Sequence, residues 1–133
     1  MKRYPKTSKY VGLRYGFRSG LEDRIASELK DKGVKYEYEK HKLKYTKPAK
    51  VHTYTPDFYI VDKKIFIETK GLFTSADRAK MRLVKEQHPD LDIRFVFSNS
   101  RNKISKISKT TYAMWCQKYG FQYADKHIPK EWL

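Results

Sequence analysis

At 133 residues the chain is sized for one domain, and its 39% hydrophobic content, with 18 Phe and Tyr (7 + 11) and two Trp, can supply a core. Thirty Lys and Arg against 15 Asp and Glu give a formal charge of +15, an excess that repels itself on compaction and points to a polyanionic partner, nucleic acid first. A lone cysteine, Cys116, excludes an internal disulfide; with no secretory signal, no bilayer-length apolar run and no broad-faced basic amphipathic helix, the expectation is a cytosolic protein without a membrane partner.

Residues 1–16 are basic, broken by Pro and Gly, and lack periodicity, so they read as a flexible arm ahead of one domain over 17–133. Lys2, Arg3, Lys6, Lys9 and Arg14 in the arm, with Arg18 beside it, are candidate contacts to a nucleic-acid backbone. "RSGLEDRIASELKDKG" predicts a helix with Ser19 as N-cap, Glu22 in a capping box, Leu21, Ile25 and Leu29 on one face, and Gly33 as stop. "VKYEYEKHKLKY" alternates strictly and predicts one half-buried strand, with Val34, Tyr36 and Tyr38 on one face and Lys35, Glu37 and Glu39 on the other.

"TPDFYIVDKKIFIETK" predicts an antiparallel hairpin turning at Asp62 and Lys63. Matching the apolar residues sets Phe58 opposite Ile67 and Ile60 opposite Ile65, which puts Tyr59 opposite Phe66 and Asp57 opposite Glu68. Lys70 shares the face of Glu68. Two opposed carboxylates need a raised pKa or a cation, and Mg²⁺ commonly joins one or two carboxylates to substrate phosphates. Metal-assisted phosphodiester hydrolysis follows, with Lys70 stabilising developing charge or orienting water. The same pattern also fits a turn aspartate followed by a solvated strand face, so the motif alone leaves both readings open.

"SADRAKMRLVKEQHP" predicts a helix stopped at Pro89, and "DIRFVFS" a nearly apolar central strand. "SNSRNKISKISKT" predicts a flexible basic loop offering Arg101, Lys103, Lys106 and Lys109 to phosphates, and "TYAMWCQKYG" a short helix with Cys116 in the core. His41, His52, His88 and His127 lack zinc-ligand spacing, though His52 is close enough in sequence to "TPDF" to be a candidate phosphate contact. Gly71 is expected to permit a close backbone approach after the strand. The element order suggests a mixed α/β domain around a central sheet.

"PDF" followed by "ETKG" resembles the PD-(D/E)xK nuclease superfamily. The longer blocks "FRSGLED", "YEYE", "HTYTPDF", "ETKG", "EQHPDLDIR", "VFSNSR" and "ADKHIPKEW", running in order from about Phe17 to Trp132, resemble the phage endonuclease I family of Holliday-junction-resolving enzymes. The resemblance implies a restriction-endonuclease-like mixed sheet flanked by helices, in an intertwined, segment-exchanged homodimer. It implies symmetric cutting of four-way and other branched DNA, leaving 5′-phosphate and 3′-hydroxyl ends, with no small-molecule substrate, in the cytoplasm of an infected or lysogenic bacterium. The catalytic set carried over is Glu22, Asp57, Glu68 and Lys70, with Glu37 as a subsidiary acid. Asp57 would bridge two Mg²⁺ or Mn²⁺ ions, Glu68 and the Thr69 carbonyl completing one site and Glu22, from the other subunit, helping to hold the second. Two competing expectations are a non-catalytic basic nucleic-acid-binding protein and a sequence-specific restriction-type nuclease.

Overall fold

Leu21, Ile25 and Leu29 recur at four-residue intervals and all are buried, so helix α1 (Gly20–Asp31) forms on the face that the spacing predicts. It ends where Gly33 takes φ +65° and the Val34 N–H donates to the Leu29 carbonyl. The computed structural model describes residues 20–47 and 50–133; the arm, Ser19 and its expected capping role lie outside the described residues.

The long strand expected over 34–45 is two elements. Strand β1 (Tyr36–Tyr38) stops because Glu39 adopts a left-handed φ of 48°, which ends extended backbone. The chain then forms a separate hairpin of β2 (Leu43–Lys47) and β3 (Lys50–Tyr54). The apolar residues fall at even numbers up to Tyr38 and at odd numbers from Leu43, so the alternation changes phase where the backbone reverses.

The predicted register of the next hairpin is observed: Phe58 pairs with Ile67, Tyr59 with Phe66 and Ile60 with Ile65 across β4 (Phe58–Ile60) and β5 (Ile65–Lys70). Helix α2 (Ser75–Gln87) carries the chain across to β6 (Asp92–Phe97), which runs parallel to β5. Helix α3 (Tyr112–Tyr119) leads to a third parallel strand, β7 (Tyr123–Asp125), which the periodicity was too short to predict, and a 3₁₀ turn, Lys130–Trp132, ends the chain. The five-stranded sheet has the order β1-β4-β5-β6-β7, antiparallel on one side and parallel on the other.

Each sheet face has its own core. Phe58, Ile60, Ile65, Ile67 and Val96 pack with α1 and with Ile128 and Trp132 of the C-terminal segment. Phe66, Ile93, Phe95 and Phe97 pack on the other face with Met81 and Val84 of α2 and Trp115 and Cys116 of α3. Phe73 is the hub there, with ring centroids of Phe95, Phe97, Tyr112 and Trp115 all 4.9 to 5.6 Å away. Cys116 is a core residue as expected, its thiol pushed up to about 12 by burial. The β2–β3 hairpin is clamped to α2 by Gln87, which accepts from the Thr46 N–H at 2.7 Å and donates to the Thr46 carbonyl at 2.8 Å. No helix among the described residues is long and apolar enough to cross a membrane.

Candidate active site

The strand pairing stops at Phe58–Ile67, so Asp57 does not sit across the ladder from Glu68 as the hairpin arithmetic predicts. Asp57 occupies a bend just before β4, and its Oδ2 accepts from the Thr69 N–H at 2.9 Å and the Thr69 hydroxyl at 2.8 Å. The pair is still electrostatically coupled, because Asp57 helps to raise the Glu68 pKa. Asp57 follows Pro56, which favours an extended or turn conformation before it and leaves the chain free to bend out of the sheet.

That bend brings Asp57 to two acids from earlier in the same chain. One oxygen from each of Glu22, Glu39 and Asp57 lies within 4.8 Å of the others. Glu22 is buried in the first turn of α1, and its Oε2 accepts from the Tyr38 hydroxyl at 2.7 Å. Glu39 is brought in by the backbone reversal that ends β1, its N–H donating to the Asp57 carbonyl at 2.9 Å. Glu22 and Asp57 therefore meet within a single chain. Glu39 was not anticipated: alternation assigned it to a strand face beside Glu37. Glu37 itself lies outside the trio and pairs with His41 at 2.6 Å and Lys40 at 3.3 Å, which hold its pKa below the usual carboxylate range.

Glu68 and Lys70 extend from the end of β5. Glu68 is buried, its Oε1 accepts from the buried Tyr54 hydroxyl at 2.7 Å, and its Oε2 lies 3.5 Å from Lys70 Nζ. Burial, then the charge of Asp57, raise the Glu68 pKa to about 8, against the opposing pull of Lys70 and the Tyr54 hydroxyl. Burial works against the Lys70 ammonium, but Glu68, Asp77 and Asp57 outweigh it and raise its pKa. Tyr54 is pushed well above its ordinary value by burial and the Glu68 charge, so its hydroxyl stays a donor. No periodicity or spacing marks the roles of Tyr38 and Tyr54: a tyrosine hydroxyl reaching a carboxylate on a helix, as Tyr38 reaches Glu22, or on another strand, as Tyr54 reaches Glu68, is a purely tertiary contact.

The oxygen-only donor set suits a hard divalent cation: three clustered carboxylates, with Glu68 close enough to Asp57 for that charge to raise its pKa. Asp57 is the group common to both sides of this constellation.

The remaining expected residues are dispersed. His52 stacks on Tyr45 in the small hairpin at 5.4 Å, with its pKa lowered by burial and by Lys47 and Lys50. His88 and His127 bind the Lys44 carbonyl and Glu28 respectively, so the histidines serve separate structural contacts. A Cβ on Gly71 would meet Ser98 Oγ at an ordinary 3.7 Å, which removes the expected need for glycine there. Arg101, Lys103, Lys106 and Lys109 are exposed on the β6–α3 loop. That loop is held rather than free: Ser100 donates twice to Asp125, Lys103 bridges Thr111, and the Ile104 N–H donates to the Thr110 carbonyl. It leaves β6 beside Lys70, whose carbonyl accepts from the Ser98 N–H at 3.0 Å. Lys2, Arg3, Lys6, Lys9, Arg14 and Arg18 lie outside the described residues.

A strongly basic α/β chain with buried carboxylates and a lysine at the end of a mixed sheet has the equipment of a nuclease. The model of the family described as phage endonuclease I matches residues 2–133, nearly the whole chain. Endonuclease I of Escherichia phage T7 is 56% identical over 117 residues, covering 88% of this chain and 78% of the relative. Endodeoxyribonuclease 1 of Enterobacteria phage T3 is 54% identical over 113 residues, covering 85% and 74%. The chain belongs to the phage endonuclease I family, and it is an endonuclease.

Proposed function

We propose that this chain is a phage DNA endonuclease that resolves four-way (Holliday) and branched junctions by symmetric, Mg²⁺-dependent phosphodiester hydrolysis, leaving 5′-phosphate and 3′-hydroxyl ends. DNA as substrate is supported by the name of the phage T3 relative. The observation that carries the reading is the convergence of Asp57, Glu68 and Lys70 at the end of β5, in a chain of charge +15.

In this reading Asp57 is shared by two cation sites, Glu68 and the Thr69 carbonyl belong to one, and Glu22 belongs to the other, with Glu37 at the margin. Bound at these residues, Mg²⁺ or Mn²⁺ would supply positive charge against the scissile phosphate and lower the pKa of an attacking water. The chain's own residues do the rest. Thr69 fixes Asp57 through two hydrogen bonds, Tyr54 orients Glu68, and Tyr38 orients Glu22. The Lys70 ammonium, kept charged by its acidic neighbours, offers positive charge where the pentavalent phosphate gains negative charge.

The substrate's symmetry calls for two sites, and an intertwined homodimer supplies them. If the α1–β1 segment exchanges between chains, the contacts that Glu22 makes to Asp57 in one chain form between two, since domain swapping preserves the interface and reopens only the connecting hairpin. A restriction-endonuclease-like domain over 17–133, preceded by a basic arm over 1–16 and working in the host cytoplasm, completes the reading.

Binding is expected to draw on the arm, His52 and the β6–α3 loop. Replacing Lys103, Lys106 and Lys109 together by Ala is predicted to weaken junction binding and to flatten the plot of log affinity against log salt by about 2 to 3 units, about 0.9 per lost phosphate contact. Titration of a labelled junction in chelator across a salt series measures this; an unchanged slope would remove the loop from the interface.

A further inference from the structure

Lys70 is held from two sides, and one of its partners, Asp77, lies outside the cluster of candidate cation ligands. Asp77 Oδ1 lies 3.4 Å from Lys70 Nζ, and Glu68 Oε2 lies 3.5 Å away. Charge-assisted N–H···O bonds close to about 2.7–2.9 Å when one acceptor owns the donor. The ammonium therefore stands shared between two carboxylates, collapsed onto neither.

Asp77 is well fixed for that task. It is the third residue of α2, and Thr74 caps the helix: Asp77 N–H donates to Thr74 Oγ1 at 3.1 Å, and Asp77 Oδ2 accepts from the Thr74 N–H at 3.0 Å. One carboxylate oxygen anchors to the cap while the other faces Lys70. The segment between them is anchored as well, because Phe73 is buried at the hub of the core and its N–H donates to the Tyr112 hydroxyl. The Arg78 guanidinium ties the Phe73 carbonyl to the β6–α3 loop.

We propose that Asp77 is a positioning residue for catalysis: it draws the Lys70 ammonium away from Glu68, keeping Glu68 open to a cation and Lys70 open to the scissile phosphate. This rests on the role given to Lys70 above. Without the Asp77 charge, Glu68 is the remaining acidic partner for the ammonium within 4 Å among the described residues. The ammonium then closes onto that carboxylate, competing with the cation and withdrawing from the substrate.

The test compares Asp77→Asn, Thr74→Ala and Lys70→Met in the full chain. Asn keeps a carbonyl for the Thr74 N–H but loses the charge; Thr74→Ala loses the cap hydroxyl but leaves that N–H to hold Asp77. For Asp77→Asn the expected result is a kcat about 10- to 100-fold lower, the range for residues supporting a metal-site group. Its KM should stay within about twofold and its Mn²⁺ affinity, read by calorimetry, should fall. Thr74→Ala should lose thermal stability, about 1 kcal/mol for a lost cap, while holding kcat and Mn²⁺ affinity within about twofold. Matching losses of kcat in both variants, or an Asp77→Asn enzyme within about twofold of the parent, would overturn the proposal. A Lys70→Met enzyme cutting at the parent rate would overturn instead the role of Lys70 beneath it.

Discussion

Asp57→Asn and Glu68→Gln are each expected to cut up to about a thousandfold more slowly than the parent while binding a junction with unchanged affinity. The magnitude is the ~4 kcal/mol reached when a preorganised group facing developing charge is removed, with tenfold in rate per 1.36 kcal/mol. Both substitutions conserve shape. Asn at 57 can still accept from the Thr69 N–H and hydroxyl, which now reach Oδ2 at 2.9 and 2.8 Å, so the bend before β4 should persist. Gln at 68 can still accept from Tyr54. What disappears is negative charge at the point where a divalent cation would sit, and a polyanionic substrate gains nothing from that charge in binding. Gel-shift titration in chelator and single-turnover cleavage in Mg²⁺ separate the two effects. Cleavage surviving either substitution would place the site elsewhere.

Glu68 also makes the metal-free protein sensitive to pH. Its folded pKa of about 8 stands above its ordinary 4.5, so between those values the folded state holds a proton that the unfolded chain has released. Stability then falls as pH rises through this window. Below pH 4.5 the carboxyl is neutral in both states and the penalty is absent; above pH 8 it is fully present. At 1.36 kcal/mol per pKa unit the penalty is on the order of a few kcal/mol. Glu68→Gln abolishes it, so this variant should be more stable than the parent at pH 8.5 in chelator and closely matched near pH 4.5. A saturating divalent cation should recover stability in the parent and much less in the variant. Denaturant melts at the two pH values measure both differences; parallel behaviour of the two proteins would show that Glu68 is not buried as a titrating acid. The cause is concrete: the carboxylate is shut between Tyr54 and the sheet near Asp57, and among the described residues Lys70 is its ion-pair partner, with Lys80 adding a weaker pull.

The fold was legible wherever side-chain period met burial. The 58–67 register followed from pairing four apolar residues, because a slip by one would expose them, and the structure keeps that register. The α1 face, the α2 stop before Pro89 and the central placement of β6 followed from equally local rules. The pairing failed one residue further on. Asp57 has no apolar partner holding it in the ladder, and its carboxylate finds two donors on Thr69 by bending out. Glu39 escaped because its left-handed φ reverses the backbone between two alternating runs, and only a change of phase from Tyr38 to Leu43 marks that break in the sequence. The tyrosines that orient Glu22 and Glu68 could not be foreseen, because their hydroxyls act across 16 and 14 residues of sequence. Family resemblance named Glu22 and assigned it to the other subunit's site; within one chain the structure places it against Asp57 and Tyr38.

The most direct test of the account mixes the parent protein with an end-labelled four-way junction and a linear duplex of the same arm sequences, in Mg²⁺ and in chelator. The expected result is paired, symmetric cuts in the junction alone, with 5′-phosphate and 3′-hydroxyl ends, and none once the metal is chelated. Equal cutting of the duplex, or cutting that chelator leaves undiminished, would contradict it.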